Sequence, residues 1–420
     1  MNGQVSFLEG ELSLIHIPLH LYSSFLLPIL QILLPQAHSL SKPKDAFSTP
    51  EGLTADFAHS FLNLSITPVE CSIVCHPYWA NQVFKPALKA ASARLPADVI
   101  GGVSIAKEAY IALCVLGGGT DAGSRVVDLS SPLALAGIPL FFITTYYSDF
   151  ILVPSKDRQS VVQALLSRGF EFSELESSFV SHGSSSQPQP HRHQLSSSIA
   201  SLSSFTEKLD LGPVPTNPAE LQVRTFNLLH KHHVVPYIVP GLSLSHCSGA
   251  GVIGNSSGGN GESCNRGPAP QRRGTQRRDS WIDTVDARLY TCLASALALP
   301  PRFLSITLAA PDPPSVLLDK TLLPLFGTTL VGDIAGDLVP IFLNLVNLPF
   351  EATGIVSGVA GKLVADMQTA DLPELSYLST SKAGAVILSS DHAQNALQIL
   401  QSTLEGDGLD PVQEKRANVR

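Results

Sequence analysis

Two glycine-bearing stretches offer the residue types and spacing from which chemistry could arise. Val115-Leu-Gly-Gly-Gly-Thr-Asp-Ala-Gly123 follows a predicted strand. Backbone N–H groups clustered in such a loop can cradle a phosphate, but the G-x-G-x-x-G spacing is missing and no acidic residue follows where a ribose would need it. A flexible strand-to-helix loop is the plainer reading. Val356-Ser-Gly-Val-Ala-Gly-Lys-Leu363 comes near a P-loop. Val356 replaces the first glycine, and Leu363 stands where a Ser or Thr must reach magnesium, so a nucleotide site is excluded. What remains is a small-residue helix start. Its free N–H groups could hold a carboxylate, such as that of an amino acid, or it could simply pack closely on a sheet.

Other candidates are weaker. His191-Arg-His193 and His230-Lys-His-His233 could bind a metal, yet neither set is completed by a carboxylate or cysteine. Cationic groups at a helix end explain the second set, and no metal is expected. Arg272-Arg-Gly-Thr275 and Arg277-Arg-Asp-Ser280 place hydroxyls after paired arginines, which makes Thr275 and Ser280 candidate phosphorylation sites for a basophilic kinase. No G-x-S-x-G elbow is found, since the one such string, Gly254-Asn-Ser-Ser-Gly258, lies within a Gly/Ser/Asn-rich insertion; the chain has no H-E-x-x-H or C-x-x-C, and no carboxylate pair stands out. No catalytic residue, no enzymatic activity and no cofactor is expected.

Composition narrows the classes. The 420 residues suffice for two to four small domains, and 44% are hydrophobic. Only 15% are charged, so much surface should be paired. A net charge of −8 with scattered basic residues argues against nucleic-acid binding. Cys71 and Cys75 sit in an apolar run and read as buried free thiols, which fits the cytoplasm. Leu12 to Pro35 is apolar, but no basic residue precedes it, and Pro18, Pro28 and Gln31 interrupt it. A strand and a core helix are expected there, with no membrane span.

A repeat organises the rest. Thr144 to Ser155 and Ser379 to Ser390 are each an apolar run ending at a serine suited to cap a helix, and Thr145/Thr380, Gln159/Gln394, Gln163/Gln398 and Leu165/Leu400 are identical in register. Strands are expected near residues 12–17, 62–67, 71–75, 110–116, 140–145, 150–153, 170–172, 303–309, 316–318, 338–345, 354–356, 376–380 and 385–388, and 234–239 reads as extended. Helices are expected near 19–34, 131–136, 156–168, 220–230, 284–297, 358–366 and 392–404. The order indicates an α+β protein of ferredoxin-like βαββαβ units, antiparallel sheets with helices on one face. The expected domains are an N-terminal pair at 5–175, a disordered linker at 176–215, and a C-terminal pair at 216–405. The second pair carries a disordered insertion at 245–278, and 406–420 is a polar tail.

At these residues the chain resembles the CASTOR proteins, arginine sensors built from ACT domains. The likeness lies in Thr144-Thr-Tyr-Tyr-Ser-Asp-Phe-Ile-Leu-Val-Pro154, Phe350-Glu-Ala-Thr-Gly-Ile-Val-Ser-Gly-Val-Ala-Gly361 and the Ser379-Thr380 strand. The resemblance implies an amino acid bound between ACT units, signalling towards the TOR kinase through a GATOR-like complex, and edge-to-edge pairing that could extend to a homodimer. It implies a ligand site at Leu140, Gly354, Ile355, Val356 and Thr380, and a partner surface at Tyr146 and Asp149. Ala352 and Gly384 stand where the family carries acids, so the side-chain end should be apolar and arginine binding weak or absent. The alternatives are an ACT regulatory subunit of an amino-acid biosynthetic enzyme, or a ligand-free interaction scaffold.

Overall fold

The computed structural model describes residues 4–34, 60–116, 122–172, 215–250, 286–309, 312–349, 352–367 and 374–406. The expected linker up to residue 214, His191–His193, Thr275, Ser280 and nearly all of the polar tail lie outside the described residues.

The expected ferredoxin-like units are present, and the described residues form four of them. The chain opens with β1 (Gln4–Phe7). The first unit follows: β2 (Ser13–Pro18), a helix Tyr22–Leu33, β3 (Phe61–Ile66), β4 (Glu70–Cys75), helical turns ending in Lys85–Ser92, and β5 (Ser104–Ile105). Neighbours run β5-β2-β4-β3, so each strand is antiparallel to the next. The second unit comprises β6 (Tyr110–Leu116), a helix Ala122–Leu135, β7 (Phe141–Thr144), β8 (Ser148–Pro154), a helix Arg158–Leu166 and β9 (Glu171–Phe172). Its order is β7-β8-β6, and β1 takes the place beside β6, with Val5 opposite Val115. The short β9 lies outside β1 and parallel to it.

The second half repeats this plan. A helix Pro218–Lys231 leads to β10 (Tyr237–Ile238). The third unit holds β11 (Leu244–Gly249), a helix Ala287–Ala298, β12 (Leu304–Ala309), β13 (Ser315–Asp319) and the start of β14 (Leu330–Asn344). The fourth takes the rest of β14, a helix Ile355–Asp366, β15 (Ser376–Ser379), β16 (Ala383–Ser389) and a helix Ser390–Glu405. Here β10 pairs with β14 at Tyr237–Phe342, so a strand from before the third unit completes the fourth. In both halves, then, a leading strand closes the later unit.

Second strands join the halves. β3 pairs antiparallel with β12, with Leu64 opposite Ile306, and β7 meets β15 at Ile143–Leu378. The first unit thus extends the third, and the second extends the fourth. The long β14 pairs with β11 along its first part and with β16 along its second, so all these strands belong to one curled sheet. Leu14, Phe61, Val74, Phe150, Phe303 and Phe342 pack together in one core between its two arms. Their outer faces carry the helices, over separate cores. Strands buried on both faces must be apolar almost throughout, which explains the fully buried β3, β4, β8 and β12 and the low charge content.

Several expectations change. The start of the insertion expected at 245–278 is a strand, because β11 runs to Gly249; its Ser and His residues hid a central strand whose neighbours on both sides bury it. Residues 251–278 lie outside the described residues. Residues 354–356 open a helix instead of forming a strand. Ser155 opens a 3-10 turn and Ser390 is the first helical residue after Ser389; neither side chain caps its helix. The helical turns at 77–92 were not foreseen, since Pro77 and Pro86 punctuate them. No helix among the described residues is long and apolar enough to cross a membrane.

Candidate functional site at the seam of the second and fourth units

The β7–β15 seam opens into a cleft enclosing about 700 Å³, its open mouth included. One wall is the turn before β7, with Pro139 and Leu140. Another is the loop and helix start at Ala352 and Gly354–Ser357. The third is the β15–β16 hairpin, Ser379–Gly384. Leu140, Gly354, Ile355, Val356 and Thr380 therefore line one cavity, although they come from both halves of the chain.

The helix start is built around Gly354. Its φ of 90° lies in the left-handed region, and an ideal Cβ would sit 2.7 Å from Leu221 Cδ1. Glycine meets both demands. Thr225 Oγ1 donates to the Gly354 carbonyl at 3.1 Å, so the Pro218–Lys231 helix backs this loop. The first intrahelical bond runs from Gly358 N–H to Gly354 O at 2.7 Å, and no side chain caps the turn. Its N–H groups and the positive end of the helix dipole suit a carboxylate. Behind them, Ser131 and Ser357 hydroxyls meet at 2.6 Å across the two units.

Thr380 has a different duty from the one its position suggests. Its hydroxyl donates to Glu70 Oε1 at 2.6 Å and accepts Ala383 N–H at 3.1 Å. In the other copy of the repeat, Thr145 Oγ1 donates to Ser148 O at 2.7 Å and accepts Ser148 N–H at 3.2 Å. The shared threonine closes a hairpin in both places. Glu70 comes from the first unit and is fully buried. It also accepts Lys382 N–H, and its second oxygen meets His16 Nδ1. One carboxylate thus fixes the hairpin that forms the third wall.

Sequence reasoning missed Glu70 and Tyr377. Tyr377 lines the cleft, yet its hydroxyl is buried and has no hydrogen-bond partner among the described residues. Burial raises its phenol pKa above the ordinary value. An ideal Cβ on Gly384 would lie 2.7 Å from this hydroxyl. The glycine that leaves the cleft without an acid also makes room for the phenol. A tyrosine on a strand, diagonal to a glycine on its neighbour, is the sequence signal that could have found it.

The expected partner surface needs correction. Tyr146 is exposed, with its N–H donating to Ser315 Oγ at 2.9 Å. Asp149 is buried and accepts from Arg125 Nε at 2.6 Å, so it presents no carboxylate to a partner. Burial raises its pKa despite Arg125. Cys71 and Cys75 are free and buried, and burial pushes the Cys75 thiol up to about 12. Such thiols are poor nucleophiles. Among the described residues no group of three or more His, Cys, Asp and Glu side chains is placed to hold a metal ion.

Residues 105–167, essentially the second unit, match the family described as ACT domain. No curated protein matches the chain. Among solved structures, protein Atu0741 from Agrobacterium tumefaciens is 18% identical, covers 46% of this chain and 99% of its own, and has a TM-score of 0.24. Aspartate kinase from Synechocystis is 11% identical with a TM-score of 0.30; the match covers 96% of this chain and 55% of that one. A putative C-terminal regulatory domain of aspartate kinase from Porphyromonas gingivalis W83 is 14% identical over 40% of this chain and 94% of its own, with a TM-score of 0.23.

Proposed function

We propose that this protein is a non-catalytic ACT regulator that senses a small amino acid at the seam of its second and fourth units. One observation carries the reading: an uncapped helix start, built on a left-handed glycine, faces a cleft that two ACT units share. The ligand carboxylate would take the N–H groups of Ile355, Val356 and Ser357. Its side chain would point towards Leu140, Ala352 and Tyr377. None of these offers a negative charge to a guanidinium, so arginine is a poor ligand. Ligand held by both units would tighten the β7–β15 seam, and the altered surface would be read by a partner.

The partner we propose is a GATOR-like complex acting on TOR signalling in the cytoplasm. The resemblance of the Thr144–Pro154 stretch supports it, and exposed Tyr146 remains available. Regulation in trans of an amino-acid biosynthetic enzyme is the second reading, because a ligand cleft between ACT units serves it equally well. A thermal-shift screen against the twenty amino acids tests the ligand. Saturating ligand at 100 times its dissociation constant adds about 2.7 kcal/mol. No shift with any of them would remove the sensing role. Affinity capture from cells with and without the ligand then separates a GATOR-like assembly from a metabolic enzyme.

A further inference from the structure

One polar atom at the seam lacks the partner that folded proteins normally provide. Tyr377 Oη is buried without a hydrogen bond, on a residue 1% exposed that lines the cleft. Water would have satisfied it in the unfolded chain, so the native state forfeits a bond unless something enters the cleft. The position is not accidental crowding. Gly384 has no Cβ, and only that absence lets the phenol stand where it does, since the added atom would lie 2.7 Å from it. The proton stays on this phenol at neutral pH because burial disfavours the phenolate. Tyr377 is therefore a donor seeking an acceptor.

The remaining walls restrict which acceptor it meets. Leu140, Ala352, Ile355 and Val356 are apolar and lie around the same space. Among the described residues that line it, a cationic side chain would find no carboxylate. Ser130, Ser379, Ser381 and Lys382 supply polar parts of the lining. An uncharged hydroxyl or amide fits both the apolar walls and the phenol donor.

We propose that Tyr377 is the specificity-determining residue of the seam site. Its hydroxyl donates to the side chain of the bound amino acid, so the site takes an uncharged polar side chain in preference to its apolar isostere. This rests on the seam reading above.

Calorimetry with two isosteric pairs, threonine against valine and asparagine against leucine, tests it on the full chain. A site built to hydrogen-bond a side chain rejects the analogue lacking that group, so the polar member should bind on the order of tenfold tighter or more. Tyr377→Phe should close that gap in both pairs by weakening only the polar members. An unchanged preference in Tyr377→Phe, or an apolar preference in the unaltered protein, would overturn the assignment alone. Absence of binding by all four would overturn the seam reading and this assignment with it. The unaltered protein supplies a second readout should the variant fail to fold. Threonine should produce a tyrosine ultraviolet difference spectrum that valine does not, and identical spectra for the two would sink the proposal.

Discussion

Glu70 shows how one side chain can hold a site to which it does not belong. It lies in the first unit, yet Thr380, Lys382 and His16 all converge on it. Removing a buried acceptor strands its donors at about 1–3 kcal/mol each. Glu70→Ala should therefore lower stability by at least that amount in urea unfolding, and Glu70→Gln by less, since one oxygen still accepts. Equal midpoints for both variants and the parent would show that the cluster contributes nothing. Gly354→Ala meets two obstacles, a left-handed φ and Leu221 at 2.7 Å. A loss of about 1–3 kcal/mol is expected. His246 belongs to the same scale. Burial lowers its pKa from 6.5 to about 4, so the folded protein keeps it neutral while the unfolded chain protonates it near 6.5. Stability should thus fall as pH drops from 6.5 towards 4, with no further loss from this group below that. His246→Gln should flatten this part of the pH–stability curve, and an unchanged slope would count against the assignment.

At the level of elements, the repeat legible in the sequence turns out to be a hairpin followed by a helix. Thr145 and Thr380 perform the same closure, but only Thr380 also binds Glu70. Thr380→Val should therefore destabilise more than Thr145→Val, by about 1 kcal/mol, because the single hydroxyl proton goes to a carboxyl group at Thr380 and to a backbone carbonyl at Thr145. Equivalent losses, measured by denaturant titration, would mean the Glu70 contact is inert. The apolar periodicity of 140–145, 338–345 and 392–404 was enough to find these elements, because their burial is continuous. β1 escaped it. A strand of four residues carries no period, and what makes it a strand is a neighbour waiting with free N–H and C=O groups.

The whole molecule is two halves sharing one continuous sheet. β3–β12 and β7–β15 cross the boundary, and the layer around Phe61, Phe150, Phe303 and Phe342 draws on both. Co-expressed as separate chains, residues 1–175 and 210–420 should co-purify as a one-to-one complex. Independent elution of the two on size exclusion would contradict the shared core. Local sequence determined the α+β class, the duplicated strand–helix unit and the glycine at the start of the 355 helix. Those follow from periodicity and backbone sterics, which act within a few residues. Tertiary structure alone decided that a leading strand completes the later unit of each half. It also decided that a first-unit carboxylate pins the fourth-unit hairpin, and that the Tyr377 phenol sits in the space a side chain at Gly384 would need. Each depends on residues hundreds of positions apart, or on opposite strands, meeting in one layer, and no local pattern records which neighbour a buried group will find.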